Sequence, residues 1–276
     1  MRTALWLAAA AALALTGCVK RIEFGPEGRI DDPEALLRLV EAAESRVITL
    51  SGDSKMRANT PQGRGAFSMF VALSRPAFIH LEPLDFFGKP QAVLGVNGDR
   101  FGLYSAQENK FFQGPASPEN VSRFLPIVLP AAELVAIMLG AAPRIPHETA
   151  SLRVDDACAC YELTLTHGPV TQQLKVHPRY YRVLESRIRG APGYDLAFED
   201  LADYGKIAFP RRLILRAEAA KVELDLRYTQ VTLNESPDLT LFDLEPPEGV
   251  PVVEVDASGQ ASGGGGSRRT PSAESP

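Results

Sequence analysis

The sequence lacks most of what would make its chemistry easy to read. Its 276 residues contain three cysteines, far below the density of a disulfide-built scaffold. Lys and Arg number 29 against 34 Asp and Glu, a formal net charge of −5, so there is no basic field for a nucleic-acid partner. No apolar run reaches the ~20 residues a membrane-spanning helix needs. There is no G-x-S-x-G, no H-E-x-x-H, and no phosphate-cradling glycine loop between a strand and a helix. His80, His147, His167 and His177 are isolated from one another and from cysteine at ligand spacing. From these absences we expect a protein that is not an enzyme, with no catalytic residues, metal site or cofactor.

Two of the cysteines form Cys158-Ala159-Cys160. In a strand, residues two apart have Cα atoms near the upper limit for a bridge, ~6.8 Å. The pair therefore reads as two small strand residues, free or weakly oxidised, with a labile redox or metal pair as the alternative. Cys18 is a different case. Arg2, then an apolar stretch over residues 4–15, then small residues describe a secretory signal peptide. The stretch ends in Leu15-Thr16-Gly17-Cys18 rather than an A-x-A site, and this resembles the bacterial lipobox. The resemblance implies removal of residues 1–17 and diacylation of Cys18, which becomes the lipid anchor. Each buried methylene contributes ~0.8 kcal/mol, so two or three acyl chains attach a protein essentially permanently. Val19 stands where an inner-membrane retention signal would place Asp, which points to the outer membrane, periplasmic face.

Residues 18–30 read as a lipidated tether and 31–255 as one folded domain. Asp32-Pro33 offers a helix cap with proline at the first position, and Leu36, Leu37 and Val40 follow at helical spacing. From Val47 the chain becomes strands and turns, with Asn97-Gly98-Asp99 as a hairpin signal. Ser117-Pro118-Glu119 caps a short helix. Pro130 opens a second, with Leu134, Ile137, Met138 and Leu139 on one side and Gly140 closing it. Strands resume at 161–166, 171–177, 181–189, 195–198, 212–217 and 222–228. In the last, Val222, Leu224, Leu226 and Tyr228 alternate with Lys221, Glu223, Asp225 and Arg227, as expected for an antiparallel sheet with one buried face. Residues 256–276, with Gly263–Gly266, read as a disordered tail. The class is α+β: one long, curved antiparallel sheet, with helices plugging its concave face.

Two segments carry a family resemblance. One runs from Gly63-Arg64-Gly65-Ala66-Phe67 through Arg75-Pro76 and "HLEPLDFFGKPQAVLGVNGDRFGLY" to "LPAAELVAIMLG"; the other is "FEDLADYGKIAFPRRLILRAEAAKVELDLRYTQVTLNESPDLTLFDLEPPEGVPVV". Their succession resembles the LolA/LolB-type periplasmic fold over roughly residues 33–255. The resemblance implies an unclosed β-barrel with a helical lid and an apolar cavity for acyl chains. With the lipobox, it implies an anchored, LolB-type lipoprotein that takes lipoproteins from a LolA-like soluble carrier and places them in the outer membrane. An envelope scaffold or sensor on the same fold is the alternative.

Alternation and helical spacing nominate Phe67, Met69, Phe78, Leu94, Phe101, Leu134, Ile137 and Met138 as cavity lining; the same residues also suit a plain core. Leu84, Phe86 and Phe87 lie in a short, proline-bounded loop. Either they meet a membrane, as the resemblance implies for anchored members, or they cap the barrel mouth.

Overall fold

The structure is a computed structural model that describes residues 22–190 and 193–262. Helix α1 (Pro33–Glu44) leads into β1 (Thr49–Thr60), β2 (Gly63–Ser74), β3 (Phe78–Leu84), β4 (Ala92–Asn97), β5 (Arg100–Ser105) and β6 (Lys110–Pro115). Helices α2 (Pro118–Val121) and α3 (Ala131–Met138) interrupt the strands. Then come β7 (Thr149–Asp155), β8 (Cys160–His167), β9 (Val170–Val176), β10 (Val183–Arg189), β11 (Asp195–Tyr204), β12 (Ile207–Ala217) and β13 (Val222–Leu233). A 3-10 turn (Leu239–Phe242) precedes β14 (Val252–Glu254). The strands form one 14-stranded sheet in the order β14-β6-β5-β4-β3-β2-β1-β13-β12-β11-β10-β9-β8-β7. Its outermost strands, β14 and β7, do not pair with each other, so the barrel is unclosed.

Two meanders are joined by the long-range pairing of β1 with β13, which runs from Leu50↔Leu233 to Asn59↔Glu223. A bulge at Asp53/Ser54 bends this seam. Gly52 sits beside it because a side chain there would collide with the Gln230 carbonyl.

The concave face follows from strand parity. Met69, Val71 and Leu73 of β2 stand opposite Pro83, Leu81 and Ile79 of β3, and Leu94 and Val96 of β4 continue the layer. Helix α3 lies on this face, with Ala131, Leu134, Val135, Ile137 and Met138 all buried. It is apolar nearly all round, as a helix enclosed by a sheet must be. Tyr228 of β13 donates its hydroxyl to the Met138 carbonyl at 2.7 Å. Helix α1 is capped by Asp32, which accepts from the Glu34 and Ala35 amides, and it buries Leu36, Leu37 and Val40.

One arginine ties both helices to the sheet. Arg182 is 2 % exposed and donates to Ala43 O at 3.0 Å, Gly140 O at 2.6 Å and Leu139 O at 3.4 Å. These carbonyls end α1 and α3, where the helix dipoles favour a cation. Glu44, buried beside it, accepts from the Ala142 amide at 3.1 Å and from Arg144 at 2.8 Å. Burial lowers the Arg182 pKa and the nearby Glu44 raises it, the first outweighing the second.

The outer face of β3 to β5 is covered by the segment after β13. Phe78 stacks edge-on with Phe242 at 5.6 Å, and His80 Nδ1 meets the Leu241 carbonyl at 2.7 Å. Gly95 and Gly102 pair across β4 and β5 and leave a notch for Leu244; a Cβ on Gly95 would lie 2.5 Å from Leu244 Cγ.

Three expectations change here. Residues 22–30, read as part of the tether, pack on the domain: the Gly25 amide donates to Pro178 O at 3.1 Å, the Ile30 amide donates to the Tyr161 hydroxyl at 2.7 Å, and the Phe24 ring lies 5.7 Å from that of Tyr161. Residues 256–262, read as the start of the tail, are folded. Val255 bridges Ala261, Asp256 accepts from the Ser258 and Gln260 amides, and the Asn120 amide donates to Asp256 O at 2.9 Å. Polar groups, not apolar anchors, hold this turn, so hydropathy did not reveal it. Cys158 and Cys160 form a disulfide with Cα atoms 5.2 Å apart. They are not both in a strand: Cys158 lies in the β7–β8 turn, and Ala159 at φ 52° shortens the span. Residues 1–21, including Cys18 and the signal segment, and residues 263–276 lie outside the described residues.

Two outcomes follow from this packing. Arg182→Met should lower the unfolding free energy by ~2–4 kcal/mol in urea titration, because three buried carbonyls lose a charged donor. Truncation after Val255 should cost ~1–3 kcal/mol by the same measurement, since the fully buried Asn120 amide loses an acceptor; an unchanged midpoint would show that the turn contributes nothing.

Candidate functional site

Antiparallel topology brings the β3–β4 loop, the β5–β6 turn, and the β1–β2 and β12–β13 hairpins to one rim of the sheet. At that rim, next to α2, opens a cavity of about 440 Å³. Its apolar walls include Phe67, Leu84, Leu103, Phe112 and Phe124, and its polar edge includes Gln91, Ser105, Glu108 and Arg123. A few polar groups around apolar walls, at this volume, is the usual character of a small-ligand pocket. Arg123 stands 5.0 Å over the Phe112 ring and also donates to the Gly259 carbonyl. The turn after β14 is thereby linked to the pocket wall.

Of the residues nominated as cavity lining, Phe67 alone lines this opening. Met69, Leu94, Phe101, Leu134, Ile137 and Met138 are each no more than 4 % exposed and pack on one another as core. The helix fills the space the sequence reading left open. Phe78 is on the other face altogether. It has the parity of His80 and packs on Phe242, whereas Ile79 and Leu81 face the helix. The polar edge and Phe124 come from the turn after α2, the end of β5 and loops, segments with no period to read.

The loop after β3 is built to hold its shape. The Asp85 carboxylate accepts from the Phe87 and Lys89 amides, both at 2.8 Å, and Asp85 N donates to Lys89 O at 2.8 Å. Gly88 takes φ 77°, a region that disfavours any side chain. Phe86 and Phe87 are displayed from this frame at 96 % and 83 % exposure, their rings edge-on at 5.5 Å. Leu84, at the base, lines the cavity instead.

A larger groove, about 820 Å³, opens near the β12–β13 hairpin. Four of its charges pair across it, Arg189 with Asp195 at 2.8 Å and Arg216 with Glu223 at 3.4 Å, and Glu218 and Lys221 stand exposed at its edge, so it is a solvated surface cleft. Among the described residues no group of three His, Cys, Asp or Glu is placed to hold a metal ion.

The architecture is an α+β open barrel, an unclosed and mostly antiparallel sheet with a helix enclosed by its concave face. The chain is similar to a DUF1329 family protein from Desulfovibrio piger, with 11 % identity, a TM-score of 0.53, and 77 % of this chain and 98 % of that one covered. It is also similar to a LolA superfamily protein from Nitrosomonas europaea, with 11 % identity, a TM-score of 0.46, and coverage of 78 % and 98 %. Lipoprotein LppX from Mycobacterium tuberculosis matches with 10 % identity, a TM-score of 0.30, and coverage of 75 % and 97 %. No protein-family model matches the chain, and no curated protein does.

Filling the rim cavity tests whether it takes an apolar chain. Ala92 is half-buried on its wall. Ala92→Phe should weaken binding of a fluorescent fatty-acyl probe roughly tenfold, about 1.4 kcal/mol, with little change in melting temperature. Unaltered affinity would place the ligand elsewhere.

Proposed function

We propose that this protein is a lipoprotein, anchored through acylated Cys18 on the periplasmic face of the outer membrane, that binds acyl chains and helps place them in that membrane. It acts by binding and hand-over, with no covalent chemistry. The observation that carries the reading is the pairing of an apolar rim cavity with a rigid loop displaying Phe86 and Phe87 in full exposure. Neither ring has a packing role in the fold. An exposed aromatic pair on a self-braced loop is suited to an apolar surface.

The chemistry needs only partition. An acyl chain leaves water for the rim cavity, and leaves the cavity for the bilayer when the loop has entered the membrane beside it. Burying one phenylalanine contributes ~1.5–3 kcal/mol, enough to bias that exit about ten- to a hundredfold. The LolA/LolB-type resemblance supplies the cargo, the acyl chains of lipoproteins, and the donor, a LolA-like soluble carrier.

Phe86→Glu/Phe87→Glu is expected to keep the wild-type melting temperature, because neither ring packs against the core. It should still accept lipoprotein from the carrier and fail to release it into vesicles. Normal release by the folded double variant would remove the loop from the mechanism and favour a scaffold that uses the same fold.

A further inference from the structure

The outer face beside the loop carries charges that packing does not require. Strand register sets Arg212 of β12 opposite Arg227 of β13, and Arg227 opposite Lys55 of β1. Three cations thus occupy consecutive cross-strand positions, an arrangement that is destabilising on its own. The same row continues through Ser68 of β2 to Leu84 of β3, at the base of the Phe86–Phe87 loop. Arg57 lies two residues beyond Lys55, on the same face of β1.

Part of this charge is neutralised. Arg212 holds Asp225 through two hydrogen bonds, at 2.9 and 2.8 Å, and also reaches Glu199 at 2.7 Å. Arg227 meets Asp200 at 3.4 Å. Lys55 and Arg57 are exposed and form no ion pair within 4 Å among the described residues; Arg57 stands across the β1–β13 pairing from Asp225, whose carboxylate is held by Arg212. Asp85, the acid nearest in the loop, is turned onto its own backbone amides. With Arg212, Arg227 and Phe86, the two cations line one open groove of about 700 Å³, whose only carboxylates are Asp225, held by Arg212, and Asp85, held by its own loop.

A chain with net charge −5 therefore keeps Lys55 and Arg57 exposed and outside any direct ion pair, beside two unpacked phenylalanines. The surface complementary to both is anionic at its face and apolar beneath. A phosphodiester accepts from guanidinium and ammonium groups, while aromatic rings settle at the headgroup–acyl boundary. We propose that the groove at Lys55 and Arg57 binds the headgroups of anionic phospholipids and so turns the outer face of β1 to β3 toward the membrane, with Phe86 and Phe87 entering it. This rests on the membrane reading of the loop given above.

The test uses the mature, acylated full chain carrying Phe86→Trp, the sole tryptophan once residues 1–17 are removed. It is reconstituted through its anchor into phosphatidylcholine vesicles, or into phosphatidylcholine mixed with phosphatidylglycerol, each with brominated acyl chains as quencher. Quenching should be several-fold stronger with phosphatidylglycerol, on the order of fivefold in partition per cation. High salt, or Lys55→Gln/Arg57→Gln, should return it to the phosphatidylcholine level. The salt arm needs no further variant, so misfolding of the glutamine pair would not hide the answer. Equal quenching in the two vesicles, insensitive to salt, overturns the headgroup site and leaves the loop's membrane role standing. No quenching in either vesicle removes both.

Discussion

The packing of both longer helices depends on one buried guanidinium. An open sheet leaves a concave face to be filled, and α1 and α3 fill it, but each arrives with carbonyls unsatisfied at its end. Arg182 reaches both sets: Ala43 O from one helix, Leu139 O and Gly140 O from the other. Removing an arginine from water is expensive, and burial lowers its pKa. Two helix C-termini and the nearby Glu44 offset that expense. Gly140 completes the arrangement. Its φ of 76° turns the chain out of the helix, and a Cβ there would lie 2.6 Å from Arg182 Nη2.

With the interior closed by this clamp, the rim is where ligand chemistry remains available. The outer half of the sheet is locked separately, by Leu244 over the Gly95/Gly102 pair and by β14 running parallel along β6. Arg123 links that C-terminal lock to the cavity by covering Phe112 and holding the Gly259 carbonyl. The cavity wall is thus braced from two directions, while the Phe86–Phe87 loop is braced only by itself. A movement of the loop need not disturb the core, as a delivering element requires.

The parts legible in the sequence were those with a period. Strand β13 alternates strictly, α1 carries its cap and apolar face, and the Pro130-to-Gly140 segment shows both its start and its stop. Strand β1 was unreadable residue by residue because its concave positions include Gly52 and Ser54. The first is small because Gln230 presses close, and the second is polar because its hydroxyl donates to Met69 O at 3.0 Å. Strand β14, three residues long, is defined by a partner some 140 positions away. Arg182 follows two tyrosines in a turn and looks solvated from its neighbours. Burial depends on what folds over a residue, and no local pattern encodes that. For the same reason, alternation correctly marked Met69 and Leu94 as inward while leaving open whether inward meant cavity or core.

An acidic protein using a basic row at an anionic surface requires a reason why repulsion does not dominate. The answer lies in distance and in the anchor. At physiological ionic strength, charges more than about 8 Å apart are largely screened, so only groups at the contact matter. Lys55 and Arg57 sit at the proposed contact; most of the carboxylates that make the chain acidic do not. In the proposed function the acylated Cys18 already keeps the protein at the membrane, so the row has no recruiting to do. Its role is orientation. Acyl chains at the N-terminus hold the domain at the membrane without selecting which of its faces meets the bilayer, and a loop with two phenylalanines enters only when it faces the right way. A weak electrostatic bias, too small to bind a free protein, is enough to select among orientations of a tethered one, because tethering removes the translational entropy that free binding must overcome.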